Sequence, residues 1–600
     1  MFASVFVFAF ASVMSASIDA APGSLTPISY TLRFPAPATH YVDIEMDVPT
    51  SAQPQLELRM AVWTPGSYLV REYSRNVEAV TARLPDGKGT PVTKTEKNKW
   101  RVETRGAATV RVSYRVYARE MGVRSNYVDP EFALLNGAPT FLSLVESAAR
   151  PHEVKIELPA GWTDVKTALP VVPGSAHTFR APDFDTLVDS PIVLGTPAVY
   201  PFSVDGVRHE LVNVGEGGVW DGQRSARDVE QIVRTETTFW GTIPYPAYLF
   251  LNVISEGNGA IEHKASTVLM TSRWRTASRK PYLEWLSTAA HEFFHAWNVK
   301  RLRPAELGPF DYDRENYTRS LWIAEGLTDY YGDLFVRRAS LASDPEYLDA
   351  LSDAIEKLQT TPGRLVQSVE LASFDAWIKQ YRPDDNSNNV SVDYYTKGSV
   401  IGFLLDAEIR RATGDRRSLD DVMRSAYARF SGASGYTTAQ WKALASEVAG
   451  RDLSAWFRQA TESTDELDYS PALQWFGLRF KPAQASADKG WLGAVTRNDN
   501  GRLVVTNVPR ATPAEAAGVS VDDEIVALGD FRVRAEQFDQ RLGAYHPGDT
   551  VPLLVARRDK LVTLTLTLGA EPQRAWRLEV DPAATAEQRS HLHAWLAGAH

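Results

Sequence analysis

Two short segments, Ala289-Ala-His-Glu-Phe-Phe-His295 and Ala324-Glu-Gly-Leu-Thr-Asp-Tyr-Tyr331, decide how this chain is read. Both have the composition of a helix, and on a helix residues four apart share a face. His291 and His295 can therefore present two imidazoles to one metal ion, while Glu292, one step round, reaches the space beside it. A catalytic zinc takes three protein ligands and keeps a further position for water. Glu325 is the best candidate for the third ligand, and Asp329, one turn later, is placed to accept the second ring N–H of a ligand histidine. Asp311, Asp313 and Glu315 are competing acids, but they lie in a Pro- and Asp-rich connection that reads as loop. The pattern points to metal-assisted hydrolysis with Glu292 as the base.

Spacing narrows the type of site. A metzincin carries Gly and a third His at set offsets after its second histidine, and those positions hold Asn298 and Arg301 here. The expected ligand set is thus His291, His295 and Glu325 around one zinc ion.

The whole chain sets the frame. Six hundred residues with 44% apolar content make several domains, giving a multidomain α+β expectation. A formal charge of −10 with both signs interspersed offers no basic stripe, which excludes nucleic acid as a partner. There is no cysteine, hence no disulfide and no thiolate-bound metal. Residues Phe2 to Met14 are apolar and uncharged, and small residues follow to Ala21 before Pro22, which resembles a signal peptide over 1–21, without the usual Lys or Arg ahead of it. This predicts a periplasmic or secreted protein. The run is too short to span a bilayer, and no other run is long and apolar enough, so no membrane span is expected.

From 22 to 195 the pattern is strand-like. Val110, Val112, Tyr114 and Val116 alternate with polar residues, as do Val154, Ile156 and Leu158, and Thr64-Pro-Gly-Ser67 punctuates them as a turn. An all-β, sandwich-like domain is predicted. Between 196 and 465 helices take over in the catalytic region. Ile401, Leu404, Leu405 and Ile409 mark an apolar helix ending at Gly414, and Ser418-Leu-Asp-Asp421 reads as a new helix start. Asp384-Asp-Asn-Ser-Asn-Asn389 reads as a solvated loop rather than a calcium site. Short strands and turns return over 466–570, and 571–600 reads as a polar, Ala-rich tail able to form a short helix.

Two more segments bear on the chemistry. In Glu256-Gly-Asn-Gly-Ala-Ile-Glu-His263 the glycines permit an irregular backbone close to a ligand, and Glu262 reads either as a surface residue after a turn or as an anchor for a substrate ammonium. In Asp393-Tyr-Tyr-Thr-Lys-Gly398 either tyrosine reads as a packing residue or as a phenol that stabilises an oxyanion.

Taken together, Gly259-Ala-Ile-Glu-His263, His291 through Pro304, Ala324 through Tyr331 and Tyr395-Thr-Lys-Gly398 resemble the M61 metallopeptidases, the glycyl aminopeptidase family. Trp63-Thr-Pro-Gly-Ser-Tyr-Leu-Val-Arg-Glu-Tyr73 resembles a further hallmark of that family, so the likeness runs through most of the chain. It implies a thermolysin-like catalytic domain of the gluzincin clan, related to the M1 aminopeptidases. By that resemblance Glu262, with Gly259 beside it, holds the substrate amine, and Tyr395 faces the oxyanion. His263 stands where M1 enzymes have Asn. The implied activity is removal of small N-terminal residues, Gly or Ala, from peptides with a free N-terminus. Its rivals are a zinc endopeptidase of the same fold and a secreted binding protein whose zinc site is not catalytic.

The C-terminal region has its own resemblance. Phe476-Gly-Leu-Arg-Phe480, Val508 through Gly518 and Asp523-Glu-Ile525 look like a PDZ domain, which implies a site for a peptide C-terminus with Gly477 in the carboxylate-binding loop. Asp522-Asp523 replaces the Gly-Asp that is usual in bacterial PDZ domains.

Overall fold

The computed structural model describes residues 25–145, 149–482, 488–572 and 575–598. The apolar N-terminal run and the cleavage zone to Ala21 lie outside the described residues. Among those described, no helix is long and apolar enough to cross a membrane.

The N-terminal unit is β-rich, as its period-two pattern predicts, with only short α-helices at Gly137–Thr140 and Phe184–Val188 among its described residues. Strand Tyr41–Pro49 pairs antiparallel with Thr109–Tyr117, setting Ile44 opposite Tyr114 and Met46 opposite Val112. Alternate residues of both strands are buried, so one face of a seven-stranded sheet joins the core while charged pairs such as Arg111–Asp47 line the other. Two four-stranded sheets complete the unit around that core. Thr64-Pro-Gly-Ser67 is a tight turn: Ser67 N–H bonds to the Thr64 carbonyl at 3.1 Å, and Gly66 takes φ 87°. That is a conformation for which glycine is suited.

The catalytic unit opens with a five-stranded sheet in the order Ala198–Val204, Val207–Val214, Ala247–Ile254, Ser266–Thr271, Gly259–Glu262. Gly259–Glu262 is antiparallel and pairs on one side only, so it leaves an open strand edge. Helices Gly222–Trp240, Arg279–Phe294, Leu327–Arg338 and Tyr394–Thr413 pack beyond the sheet in one large apolar core. The helix signals read from sequence act as expected. Gly414 closes its helix in a left-handed cap at φ 61°, and Ser418 and Asp421 form a reciprocal capping box.

Glycines let the helices meet closely where the site lies. A Cβ on Gly398 would stand 2.7 Å from Gly326 Cα, and one on Gly326 would stand 2.5 Å from Gly398 Cα. Backbone therefore touches backbone, and the helix carrying Tyr395 is drawn onto the turn carrying Glu325.

The C-terminal region departs from the sequence expectations. Strands between Val495 and Thr567 form a separate sheet with its own core of Leu492, Val505, Ile525, Leu553 and Leu566. Gly477 is not part of it: it caps helix Ser470–Phe476 at φ 62°, packed against Ala584 and Gln588. Its place in a carboxylate-binding loop is thus withdrawn. The described residues 575–598 are not a free tail either, although the short helix expected there forms. Leu578–Val580 pairs with Leu478–Phe480, and helix Ala586–Ala597 returns to the catalytic helices. There Trp595 is fully buried, stacks on Phe476 at 4.4 Å and donates its indole N–H to Tyr330 Oη at 2.7 Å. The small sheet domain is thus inserted into a helical unit that closes behind it. Three apolar residues, Leu592, Trp595 and Leu596, bury that helix, too few for its polar composition to announce the contact.

The polar tract at 384–389 also does more than face solvent. Asn389 is buried, donates to the Val508 carbonyl at 3.0 Å and accepts from Arg510 N–H at 2.9 Å, tying the inserted domain to the segment ahead of Tyr395.

Candidate metal centre and substrate cleft

His291 lies in the last turn of helix Arg279–Phe294, and His295 is the residue that ends it. Glu325 sits on a π-helical turn, Trp322–Gly326, that leads into helix Leu327–Arg338. Such wide turns are frequent at functional sites because they displace a side chain from the regular helical face. The two Nε2 atoms are 3.0 Å apart, and Glu325 Oε2 lies 3.1 Å from that of His295 and 3.6 Å from that of His291.

The opposite ring atoms are already engaged. His291 Nδ1 is 3.3 Å from Asp329 Oδ1, and His295 Nδ1 is 3.0 Å from the Asn298 carbonyl. With Nδ1–H donated in both rings, both Nε2 lone pairs converge on Glu325. Asn298 fixes this relation, since its amide also donates to the Ile323 and Ala324 carbonyls of the π turn.

This donor set fits a zinc ion. Tetrahedral bonds of 2.0–2.1 Å put ligand atoms about 3.3 Å apart, close to the spacings here, and the three donor atoms all lie within 4.8 Å of one another. Glu325 Oε1 is buried with no hydrogen-bond partner, as expected of a carboxylate awaiting a cation. Burial opposes a charge on both rings, yet Asp329, Glu325 and Glu292 outweigh it at His291, and Glu325 with Glu262 outweighs it at His295, so both imidazoles are raised above their usual range. The cluster therefore calls for positive charge.

Glu292 is buried next to the histidines, and its Oε2 has no partner. Burial pushes its carboxyl up to about 7, against the pull of the two imidazoles. Of the two tyrosines left open by the sequence, Tyr394 is wholly buried, whereas the Tyr395 ring lies 6.1 Å from that of His291. Asp393 accepts from Tyr395 N–H at 2.9 Å and holds the start of that helix. Tyr381 Oη lies 3.4 Å from Tyr395 Oη and 3.5 Å from the Gly66 carbonyl, linking the phenol to the N-terminal unit.

Glu262, on the open edge strand, is buried and not a surface residue. Gly66 presses against it so closely that a Cβ there would meet Oε2 at 2.4 Å. Lys300 Nζ stands 3.3 Å from Glu262 Oε1 and 3.0 Å from Asp189 Oδ1. Burial works against the ammonium, but Asp189 and Glu262 prevail and keep Lys300 above the ordinary lysine range. Asp189 also lies 3.3 Å from His263 Nδ1 and accepts from Lys264 N–H at 2.7 Å, so His263 has a structural partner in the other unit. A cavity of about 450 Å³ adjoins this cluster, lined by Trp63, Tyr68, Glu262, Lys300, Arg303 and Phe310 among others. Gly259 opens the edge strand at φ 142°, where other residues are strained.

The structure thus brings His291, Glu292, His295, Glu325, Asp329 and Tyr395 together, with Glu262 on the neighbouring strand. Sequence reading missed Lys300, Asp189, Gly66, Tyr381 and Arg124. Lys300 and Gly66 lie inside the motif segments already quoted, whereas Asp189, Tyr381 and Arg124 carry no local signal.

Comparison with known proteins follows the same division. Models of the Peptidase M61 N-terminal domain, the M61 glycyl aminopeptidase and the PDZ domain match residues 29–196, 284–401 and 490–568. The chain is similar to the crystal structure of an aminopeptidase N family protein from Idiomarina loihiensis, with TM-score 0.89 and 30% identity, covering 95% of this chain and 100% of that one. An M1 zinc metallopeptidase mutant from Deinococcus radiodurans is more distant, at TM-score 0.46 and 13% identity, covering 74% of this chain and 95% of that one. No curated protein matches.

Proposed function

Because the chain belongs to the M61 peptidase family and is a zinc metallopeptidase, we propose that it is an aminopeptidase removing small N-terminal residues, Gly or Ala, from peptides. The observation that carries this reading is Glu262, a buried carboxylate on the open edge strand of the catalytic sheet. Its Oε1 lies near Lys300 without hydrogen-bond geometry, so the oxygen keeps capacity for an incoming ammonium.

His291, His295 and Glu325 would hold the zinc ion. Bound there, zinc supplies Lewis acidity, lowering the pKa of water toward about 7 and polarising the scissile carbonyl. Asp329 and the Asn298 carbonyl keep the imidazole Nδ1–H bonds fixed and so aim both Nε2 lone pairs. Glu292 takes the proton of the attacking water and passes it to the leaving amine, a task suited to a carboxyl raised to about 7. Tyr395 donates its phenolic O–H to the oxyanion. Glu262 holds the substrate ammonium and thereby sets the cut one residue from the free end.

Internal cleavage is the second reading, favoured by Lys300, whose charge already offsets that of Glu262. Gly-p-nitroanilide and its N-acetyl form separate the two. The aminopeptidase turns over only the free amine, and Glu262→Ala lowers kcat/KM for it by about 10²-fold. Equal turnover of both forms would establish the endopeptidase. Export to the periplasm or beyond, and capture of a peptide C-terminus by the PDZ domain, belong to the same proposal and rest on the N-terminal apolar run and the PDZ match.

A further inference from the structure

The N-terminal unit sends one cation to the cleft that the mechanism above leaves unused. Arg124 follows strand Thr109–Tyr117 in a tightly pinned connection. Tyr73 Oη donates to the Arg124 carbonyl at 2.8 Å, and Asn136 donates to the Ser125 carbonyl at 2.6 Å. The side chain crosses to the open edge strand, where Nη2 donates to the Ala260 carbonyl at 3.0 Å. A Cβ on Gly259 would lie 3.8 Å from Nη1.

The carboxylates that act on this guanidinium do so without pairing with it. Its Nε is shut off from solvent without a hydrogen-bond partner, and among the described residues no carboxylate stands within ion-pair distance of it. Glu292 and Glu262 act on it electrostatically, as do Tyr381 and Tyr395, which places it among the groups of the cleft. Ala260 takes one N–H of a planar fork that has five, and such a fork matches a carboxylate. A part-buried guanidinium with its Nε unpartnered and no carboxylate in direct contact has donors to offer a carboxylate that arrives with the substrate.

The strand supplies the register. Residues 260 and 262 lie on the same side of it, about 6.6 Å apart. A peptide extended along that edge with its ammonium at Glu262 brings its second residue to Arg124, since two residues of extended chain cover about the same length. We propose that Arg124 is a specificity-determining residue that binds a carboxylate on the substrate's second residue, either the free C-terminus of a dipeptide or an acidic side chain. This deepens the aminopeptidase reading and rests on Glu262 holding the ammonium.

The test compares Ala-Ala, Ala-Ala-amide and Ala-Asp-amide with the full-length zinc enzyme and its Arg124→Gln and Arg124→Lys variants. The wild type turns over Ala-Ala with kcat/KM about tenfold or more above Ala-Ala-amide. Arg124→Gln brings that ratio near one, and Arg124→Lys, which keeps the charge but loses the fork, falls between. Ala-Asp-amide distinguishes the sources: rates near those of Ala-Ala mean that a side-chain carboxylate serves, and rates near those of Ala-Ala-amide assign the site to the free C-terminus. A wild type that turns over neither Ala-Ala nor Ala-Asp-amide faster than Ala-Ala-amide, or a preference that survives Arg124→Gln, overturns the inference. Should Arg124→Gln fail to fold, the wild-type ratio alone decides. Failure to cleave any free-amine substrate, Ala-p-nitroanilide included, would instead defeat the aminopeptidase reading beneath it.

Discussion

The two sides of this cleft are assembled in different ways. On the metal side, His291, Glu292, His295, Glu325 and Asp329 come from two helices of one unit, and their spacing along each helix already sets their geometry. On the recognition side, Glu262, Lys300, Asp189, Gly66 and Arg124 come from separate segments of two units and meet only when those units dock. The chemistry of the metal side depends on short-range helix geometry, which other sequence contexts can reproduce. Recognition depends on an interface, where a single buried charge needs partners from across it. Under the proposed function the N-terminal unit is thus part of the active site and not merely its support.

The comparison can be broken from either side. The largest effect belongs to Glu292→Gln, which should lower kcat by about 10²–10⁴-fold while metal analysis still finds one zinc per chain. Retention of full activity would remove Glu292 as the base, and loss of the metal would show that the two roles of the metal side are not separable.

Next in size is Asp189→Asn. It strands the buried Lys300 with one counter-ion in place of two, so kcat/KM for free-amine substrates should fall about tenfold and the melting temperature should drop by several degrees, with zinc content unchanged. Wild-type kinetics in that variant would deny the interface its part in recognition.

The smallest effect concerns the N-terminal unit alone. His152 is buried, and burial holds its imidazole down to about 4. Between pH 6.5 and about 4 the unfolded chain binds a proton there that the folded chain refuses, so stability falls as pH is lowered through that window. His209, in the five-stranded sheet of the other unit, acts in the same direction and is left unchanged in the test. Urea midpoints measured from pH 7 to pH 4 should fall less steeply for His152→Gln than for wild type, and equal slopes would discount the residue.

How much was legible follows from these particular residues. The spacing of His291, Glu292 and His295, and that of Glu325 and Asp329, was readable because each group lies within about one helical turn. The N-terminal strands, the helix stop at Gly414 and the helix start at Ser418 were readable for the same reason, since local periodicity and capping act within a few residues. Gly477 misled because a glycine that caps a helix in the left-handed region looks, in sequence, like a glycine that shapes a binding loop. The short helix expected near the end forms, but its docking was missed because its burial depends on Tyr330, Arg338 and Phe476, which lie far from Trp595 along the chain. Tyr395 could be told from Tyr394 only in the folded chain, where the Tyr395 ring lies 6.1 Å from that of His291 while Tyr394 is fully buried.

By itself, then, the sequence determined the reaction centre and the order of the domains, because both are written in short-range spacing and patterning. Tertiary structure alone decided that Glu262 is buried beside Lys300, that Asp189 and Arg124 reach the cleft from another unit, and that the inserted domain is closed by a returning helix. Those facts depend on which surfaces meet, and a buried charge or an apolar face finds its partner by position in space and not by distance along the chain.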